Sequence, residues 1–190
     1  QFFANGADTE TMGVDLVLNW KKKMKNSELS LDVSGNINHM IITDIKNKML
    51  DKETFFGERD QQFLLASAPK SKFNLGVNYQ YKKLKTALNF TRFSEIKLID
   101  WQIAQDVSNF NNSEVERLKS ATDIYKPKIT TDQHFSYQLN TVINVQLGAN
   151  NLLNIYPTKQ NTFTDSGGLW DATQMGTNGS FYYTKLNLKL

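Results

Sequence analysis

Apolar and polar residues alternate one for one along about seven separate stretches of this chain, and no other feature restricts its folding so tightly. Met12, Val14, Leu16, Leu18 and Trp20 are separated by Gly13, Asp15, Val17 and Asn19. Leu29, Leu31, Val33 and Ile37 alternate with Ser30, Asp32, Ser34 and Asn36. Phe73, Leu75, Val77, Tyr79 and Tyr81 take turns with Asn74, Gly76, Asn78 and Gln80. Leu84, Leu88 and Phe90 share a face against Lys85, Asn89 and Thr91. Ile129, Phe135, Tyr137 and Leu139 oppose Asp132, His134, Ser136 and Gln138, and Ile143, Val145, Leu147 and Ala149 oppose Asn144, Gln146, Gly148 and Asn150. Tyr182, Leu186, Leu188 and Leu190 close the series against Tyr183, Lys185, Asn187 and Lys189. Successive side chains of a strand point to opposite faces, so period two specifies strands, and helical spacing fits none of these windows as well.

A soluble antiparallel sheet with one face on a core also alternates. Two features favour a membrane barrel instead. The polar face is rich in Asn, Gln, Ser, Thr and Gly, groups suited to a water-filled lumen, where a soluble sheet more often carries Lys and Glu. The stretches also reach the roughly 9–11 residues that cross a bilayer when tilted, against about five or six in an ordinary strand.

Composition removes other classes. Cysteine is absent from the 190 residues, so neither a disulfide framework nor a thiolate metal site can form. The net charge of +3 is small, and the run Lys21-Lys22-Lys23 reads as a solvated turn rather than a nucleic-acid patch. No stretch approaches the roughly 20 apolar residues of a membrane helix. The mean hydropathy of −0.48 is polar, which a β-barrel tolerates because only alternate residues meet lipid. The chain opens on Gln1 with no basic-then-apolar leader, so a signal peptide is expected to be removed or to lie upstream.

Short and long connections alternate. Turns are expected near residues 22–27, at Lys82-Lys83 and at Asn140-Thr141, and long connections over about 47–71, 94–127 and 154–178. Outer-membrane barrels have this pattern, with turns in the periplasm and loops outside, whereas compact soluble domains rarely hold several structureless loops beyond about 15 residues. Trp20, Tyr79, Tyr81 and Tyr137 fall on the apolar face beside the short turns, where an interfacial girdle belongs. His39, Arg92 and Gln133, the polar members of that face, are expected toward the long-connection ends, within reach of headgroups.

Several segments together resemble the barrel of TonB-dependent receptors of the Bacteroidetes type. Phe2-Phe3-Ala4-Asn5-Gly6 leading to Thr11-Met12-Gly13-Val14-Asp15 is similar to a loop-to-strand passage of that family. Ala68-Pro69-Lys70-Ser71-Lys72-Phe73-Asn74-Leu75 resembles a Pro-x-x-Lys strand opening, and Tyr125-Lys126-Pro127-Lys128 with Thr131-Asp132 another. Val145-Gln146-Leu147-Gly148-Ala149-Asn150-Asn151-Leu152-Leu153-Asn154-Ile155-Tyr156-Pro157 is similar to the penultimate strand, and Met175-Gly176-Thr177-Asn178-Gly179-Ser180-Phe181-Tyr182-Tyr183 to the lead into the last. The likeness runs along essentially the whole chain. Family members commonly end on Phe, and this chain ends on Leu190. The resemblance implies that residues 1–190 are the carboxy-terminal part of one all-β, antiparallel transmembrane barrel domain, about seven strands out of roughly 22, with the plug domain outside this chain. An odd strand count itself fits a segment, since single-chain bacterial barrels are even-numbered. It further implies residence in the outer membrane, coupling to the TonB–ExbB–ExbD complex through the plug region, and import of a scarce nutrient such as a ferric siderophore, cobalamin or glycan. A passive porin-like barrel and a soluble antiparallel β-sheet binding domain are the alternatives.

No catalytic constellation is visible, and no cofactor or metal site is expected. His39 and His134 fall on opposite faces, a poor metal pair. Asp15 and Asp132 share the polar face and read as pore-lining carboxylates rather than an acid–base pair. Ser166-Gly167-Gly168 is loop punctuation, lacking the strand and helix of a phosphate cradle. Ser113-Glu114-Val115-Glu116-Arg117-Leu118-Lys119 has the spacing of a capping box and predicts a short helix within a connection. Trp101, Phe110 and Trp170 lie in the long connections and are the candidate cargo contacts, with packing of the loops on themselves the favoured role.

Overall fold

A computed structural model describes residues 6–46, 56–99, 121–160 and 169–189. These form β1 (Ala7–Lys23), β2 (Ser27–Ile45), α1 (Glu58–Ser67), β3 (Ser71–Tyr81), β4 (Leu84–Phe93), β5 (Ile96–Ile99), β6 (Thr122–Tyr125), β7 (Lys128–Gln138), β8 (Ile143–Asn150) and β9 (Phe181–Leu188). The chain is all-β apart from the one helix described. Its main sheet has seven strands in the order β1-β2-β3-β4-β7-β8-β9, every pair antiparallel. The seven alternating stretches are these seven strands. The sheet is open, with β1 and β9 at its edges.

Register brings the alternation into phase across the sheet. Leu18 faces Val33, Leu31 faces Val77, Leu75 faces Phe90, Tyr137 faces Val145 and Val145 faces Leu186. Directly opposed residues share a face, so these pairs form one apolar surface. Asn19–Asp32, Asn78–Ala87, Ser136–Gln146 and Gln146–Lys185 belong to the other. The hairpins turn at Met24-Lys25-Asn26, slightly later than the lysine run, which is the end of β1, and at Lys82-Lys83 and 139–142. In the last turn Asn140 Oδ1 accepts from the backbone N–H of Val142 and Ile143 at 2.9 and 2.8 Å, fixing the reversal with its own side chain.

One row of opposed residues runs Trp20, Leu31, Val77, Leu88, Gln133, Ala149, Tyr182. The first four strands are level at their turn ends, with Ser27 opposite Tyr81 and Tyr81 opposite Leu84, and the row moves away from the turns between β4 and β8. A step of this kind is an offset that a sheet of tilted strands needs in order to curl into a barrel. The same row corrects one expectation. Gln133 sits mid-strand opposite Leu88, not at a loop end, and its amide is satisfied there: Nε2 donates to Thr86 Oγ1 at 2.7 Å and to the Ala87 carbonyl at 3.2 Å.

Two of the long connections are not structureless. α1 lies in the first, favoured by Glu58 and Asp60 at its amino end and by Gln, Leu and Ala within. β5 and β6 lie in the second and pair with each other. Ala66, Ile96, Leu98 and Tyr125, with Phe63 against them, form a small core where the helix meets this two-stranded sheet. The helix predicted over residues 113–119 falls outside the described residues.

That core belongs to an end layer, the structure that the long connections build at their end of the main sheet. The main sheet's apolar face is exposed at Leu16, Leu75, Tyr79, Phe135, Leu147 and Leu186. On β3 the inversion is plain, because Leu75, Tyr79 and Tyr81 are exposed while Asn74, Asn78 and Gln80 are half-buried and Gly76 is buried. A water-soluble sheet would show the reverse.

Candidate functional site

The polar face is linked across strands by side-chain hydrogen bonds. Asn78 Nδ2 donates to Asp32 Oδ2 at 2.8 Å, and Thr91 Oγ1 to Asn74 Oδ1 at 2.9 Å. Asn144 Nδ2 donates to Ser136 Oγ at 2.9 Å, and Asn187 Nδ2 to Asn144 Oδ1 at 3.3 Å. Short amides and hydroxyls reach the facing strand, bond there, and keep further lone pairs and N–H groups for water or a solute. At the ends of the first hairpin Lys21 pairs with Glu28 at 2.6 Å and Lys46 with Asp8 at 2.7 Å. The hydrogen bond to the Asp8 carboxylate holds the Lys46 ammonium above the usual lysine range.

His134, Gly148 and Tyr183 form one row on this face. A Cβ built on Gly148 would collide with the hydroxyl end of the Tyr183 ring. The glycine leaves room for the phenol, whose hydroxyl meets His134 Nδ1 at 2.7 Å. Beside this row, toward the short turns, a cavity of about 370 Å³ opens between β2, β3, β4, β7, β8 and β9. Valine at Gly148 is expected to push the ring aside and break the bond to His134. The expected loss is about 1–3 kcal/mol, one hydrogen bond plus the displaced packing. A double-mutant cycle checks this: in a Tyr183→Ala background Gly148→Val should cost clearly less, and equal costs in both backgrounds would show that the ring is not what fills the space.

At the opposite end, three of the segments quoted above meet. Asp132 Oδ1 accepts from the Asn151 backbone N–H at 2.7 Å, and Asn151 brackets Ile155 through its side chain at 2.9 and 2.7 Å. Asn154 Oδ1 accepts from the Ser180 N–H at 3.0 Å, and Ser180 Oγ donates to the Asn151 carbonyl at 2.9 Å. Asn151 and Asn154 have φ of 48° and 54°, a left-handed geometry that asparagine tolerates better than most residues. Gly179, with φ of 68°, passes so close to Tyr156 and Asn154 that a side chain there would collide. Asp132 thus holds a turn and is parted from Asp15 by β2, β3 and β4. Gln174, buried, donates through Nε2 to the carbonyls of Ser94, Lys126 and Tyr125 at 2.8, 3.0 and 3.2 Å, tying the third connection to both ends of the second.

Of the candidate cargo contacts, Trp170 stacks on Tyr156 with ring centroids 4.6 Å apart, a packing role within the end layer. Trp101, Phe110 and Ser166-Gly167-Gly168 lie outside the described residues. His39 and His134 are on opposite faces, and among the described residues no three acidic or imidazole groups converge on one point. Sequence reasoning missed the His134–Gly148–Tyr183 row and the Gln174 tie. The row was accessible in principle, since a glycine opposite a tyrosine follows once register is known. The tie was not, because it joins residues distant in sequence without any periodic signal. Comparison with known proteins gives no match: no family model, no curated protein and no solved structure aligns with this chain.

Proposed function

We propose that this chain is the carboxy-terminal part of an outer-membrane β-barrel of the TonB-dependent receptor type, which imports a scarce nutrient across the outer membrane. The observation that carries the reading is the inverted burial of the main sheet. Apolar side chains are exposed on one face from Leu16 on β1 to Leu186 on β9, and on β3 and β7 Leu75, Tyr79, Phe135 and Tyr137 are exposed while the polar side chains of the other face are half-buried. An apolar patch of that extent on a protein surface marks a membrane or an interaction site, and a sheet that crosses a bilayer must put such a surface toward lipid. Alternation of tight turns with long connections supports the same reading. On this reading the remaining strands and a plug domain complete the barrel, the plug region engages TonB–ExbB–ExbD, and the end layer faces the cell exterior.

Sidedness tests it. The sequence has no cysteine, so single cysteines report cleanly. Ala172→Cys, exposed in the end layer, is expected to react with an impermeant thiol reagent on intact cells. Thr141→Cys, exposed in the β7–β8 turn, is expected to react only after the outer membrane is opened. Labelling of position 141 on intact cells would overturn the assignment.

A further inference from the structure

We propose that the lysines of the first two tight turns bind the phosphate groups of anionic phospholipids in the leaflet that those turns meet, an inference that rests on the membrane reading above and adds a lipid class to it. Charge is divided unevenly along the sheet. Residues 20–26 and 80–84 carry lysine at 21, 22, 23, 25, 82 and 83 and neither Asp nor Glu. Glu28, the first carboxylate beyond them on β2, is engaged by Lys21 at 2.6 Å on the polar face. The opposite end mixes signs: Asp8 pairs with Lys46 at 2.7 Å, and Glu95 shares a wall with Lys70 and Lys97. The first two turns hold cations alone.

Backbone bonds gather these lysines into one patch against the apolar face. The Lys82 N–H donates to the Asn26 carbonyl at 3.1 Å, which holds the two turns side by side, and the Lys83 carbonyl accepts from the Gln138 N–H at 3.0 Å, which ties the second turn to β7. Lys22, Lys25, Lys82 and Lys83 are exposed. Lys22, opposite Leu29, follows Trp20 on the apolar face, about 7 Å further along β1. Lys82 Nζ lies 5.3 Å from the centre of the Tyr81 ring, within cation–π reach. Trp20, Tyr79, Tyr81 and Tyr137 are all exposed on that face. Such rings settle at the boundary between hydrocarbon and headgroups, and a lysine one step nearer the strand end extends its ammonium to the phosphates. An acidic protein would meet the same charge, but it has no use for the exposed rings beside it.

The full chain carrying Trp101→Phe and Trp170→Phe, so that Trp20 is its one tryptophan, is reconstituted in phosphatidylcholine vesicles with a minor share of brominated phosphatidylglycerol or brominated phosphatidylcholine. Bromine quenches a tryptophan that it touches, so quenching reports which lipid gathers beside Trp20. Phosphatidylglycerol is expected to be preferred on the order of twentyfold, and high salt should abolish the preference. Lys22→Gln and Lys82→Gln should each cut it about fivefold. Lys22→Arg, which keeps the charge, should retain it, and Lys97→Gln at the opposite end should leave it unchanged. Equal quenching by the two lipids would overturn the inference and leave the membrane reading standing. Quenching by neither, with phosphatidylglycerol vesicles still binding the chain and releasing it in high salt, would keep the lysine patch and remove the membrane reading. Tighter binding of a polyglutamate peptide than of those vesicles would assign the turns to an acidic protein and overturn the inference.

Discussion

Arginine at Leu147 is expected to destabilise the full chain in a phospholipid bilayer by about 2–4 kcal/mol, and arginine at Gln146 by less than about 1 kcal/mol. The two positions are neighbours on β8, but Leu147 stands between Phe135 and Thr184 on the apolar face, 53% exposed, while Gln146 stands between Ser136 and Lys185 on the polar one. A guanidinium directed into hydrocarbon loses its hydration with no carboxylate to replace it. Directed into a water-filled lumen it stays hydrated, with Glu28 also on the wall of the adjoining cavity. Urea unfolding in vesicles measures both variants against the parent. Equal tolerance at the two positions would show that the faces have been assigned wrongly. A soluble sheet with Leu147 in water would show almost no cost at either.

Cysteines placed at Leu16 and Leu186 are expected to give no intramolecular disulfide. These residues lie on β1 and β9, the two edges, with five strands between them. At about 4.8 Å per strand the separation along the sheet is on the order of 29 Å, far beyond the roughly 4.4–6.8 Å between Cα atoms that a disulfide spans. A pair at Leu18 and Val33, opposed on β1 and β2, serves as the positive control. Efficient cross-linking of 16 to 186 within one molecule would mean that these seven strands close on themselves, and the larger-barrel reading would fall.

Strand identity and facing were legible because both depend only on alternation. The pattern at Met12–Trp20 fixes a strand and its two faces without any knowledge of what lies beside it, and register then follows from matching like faces through short turns. Three things were not legible. α1 escaped because Phe63, Leu64, Leu65 and Ala66 are consecutive rather than spaced at helical period. β5 and β6 are four residues each, too short for alternation to register, and their partners are separated by 22 residues of chain. Gln133 reads as a loop-end residue because a polar side chain on an apolar face needs a polar partner, and water is the one that sequence alone supplies. A hydroxyl across the strand pair at Thr86 serves instead, and only register shows it. The same limit applies at the site. His134 and Tyr183 are unremarkable in sequence and acquire meaning only once Gly148 lies between them.

The end layer also bears on the order in which the sheet assembles. Three of its strand pairs, β1–β2, β3–β4 and β7–β8, are joined by tight turns, and such hairpins form in roughly microseconds. The other three, β2–β3, β4–β7 and β8–β9, must wait for long segments to close, which slows any topology built from non-local pairs. α1, the β5–β6 pair and the Gln174 tie sit in or across just those segments. Once folded, each shortens the effective chain that has to be gathered before two hairpins can meet, and closure entropy falls with the length left free. The layer that caps the finished sheet is therefore also a set of kinetic staples. Variants that loosen it should slow the docking of hairpins while leaving the hairpins themselves as quick to form as before.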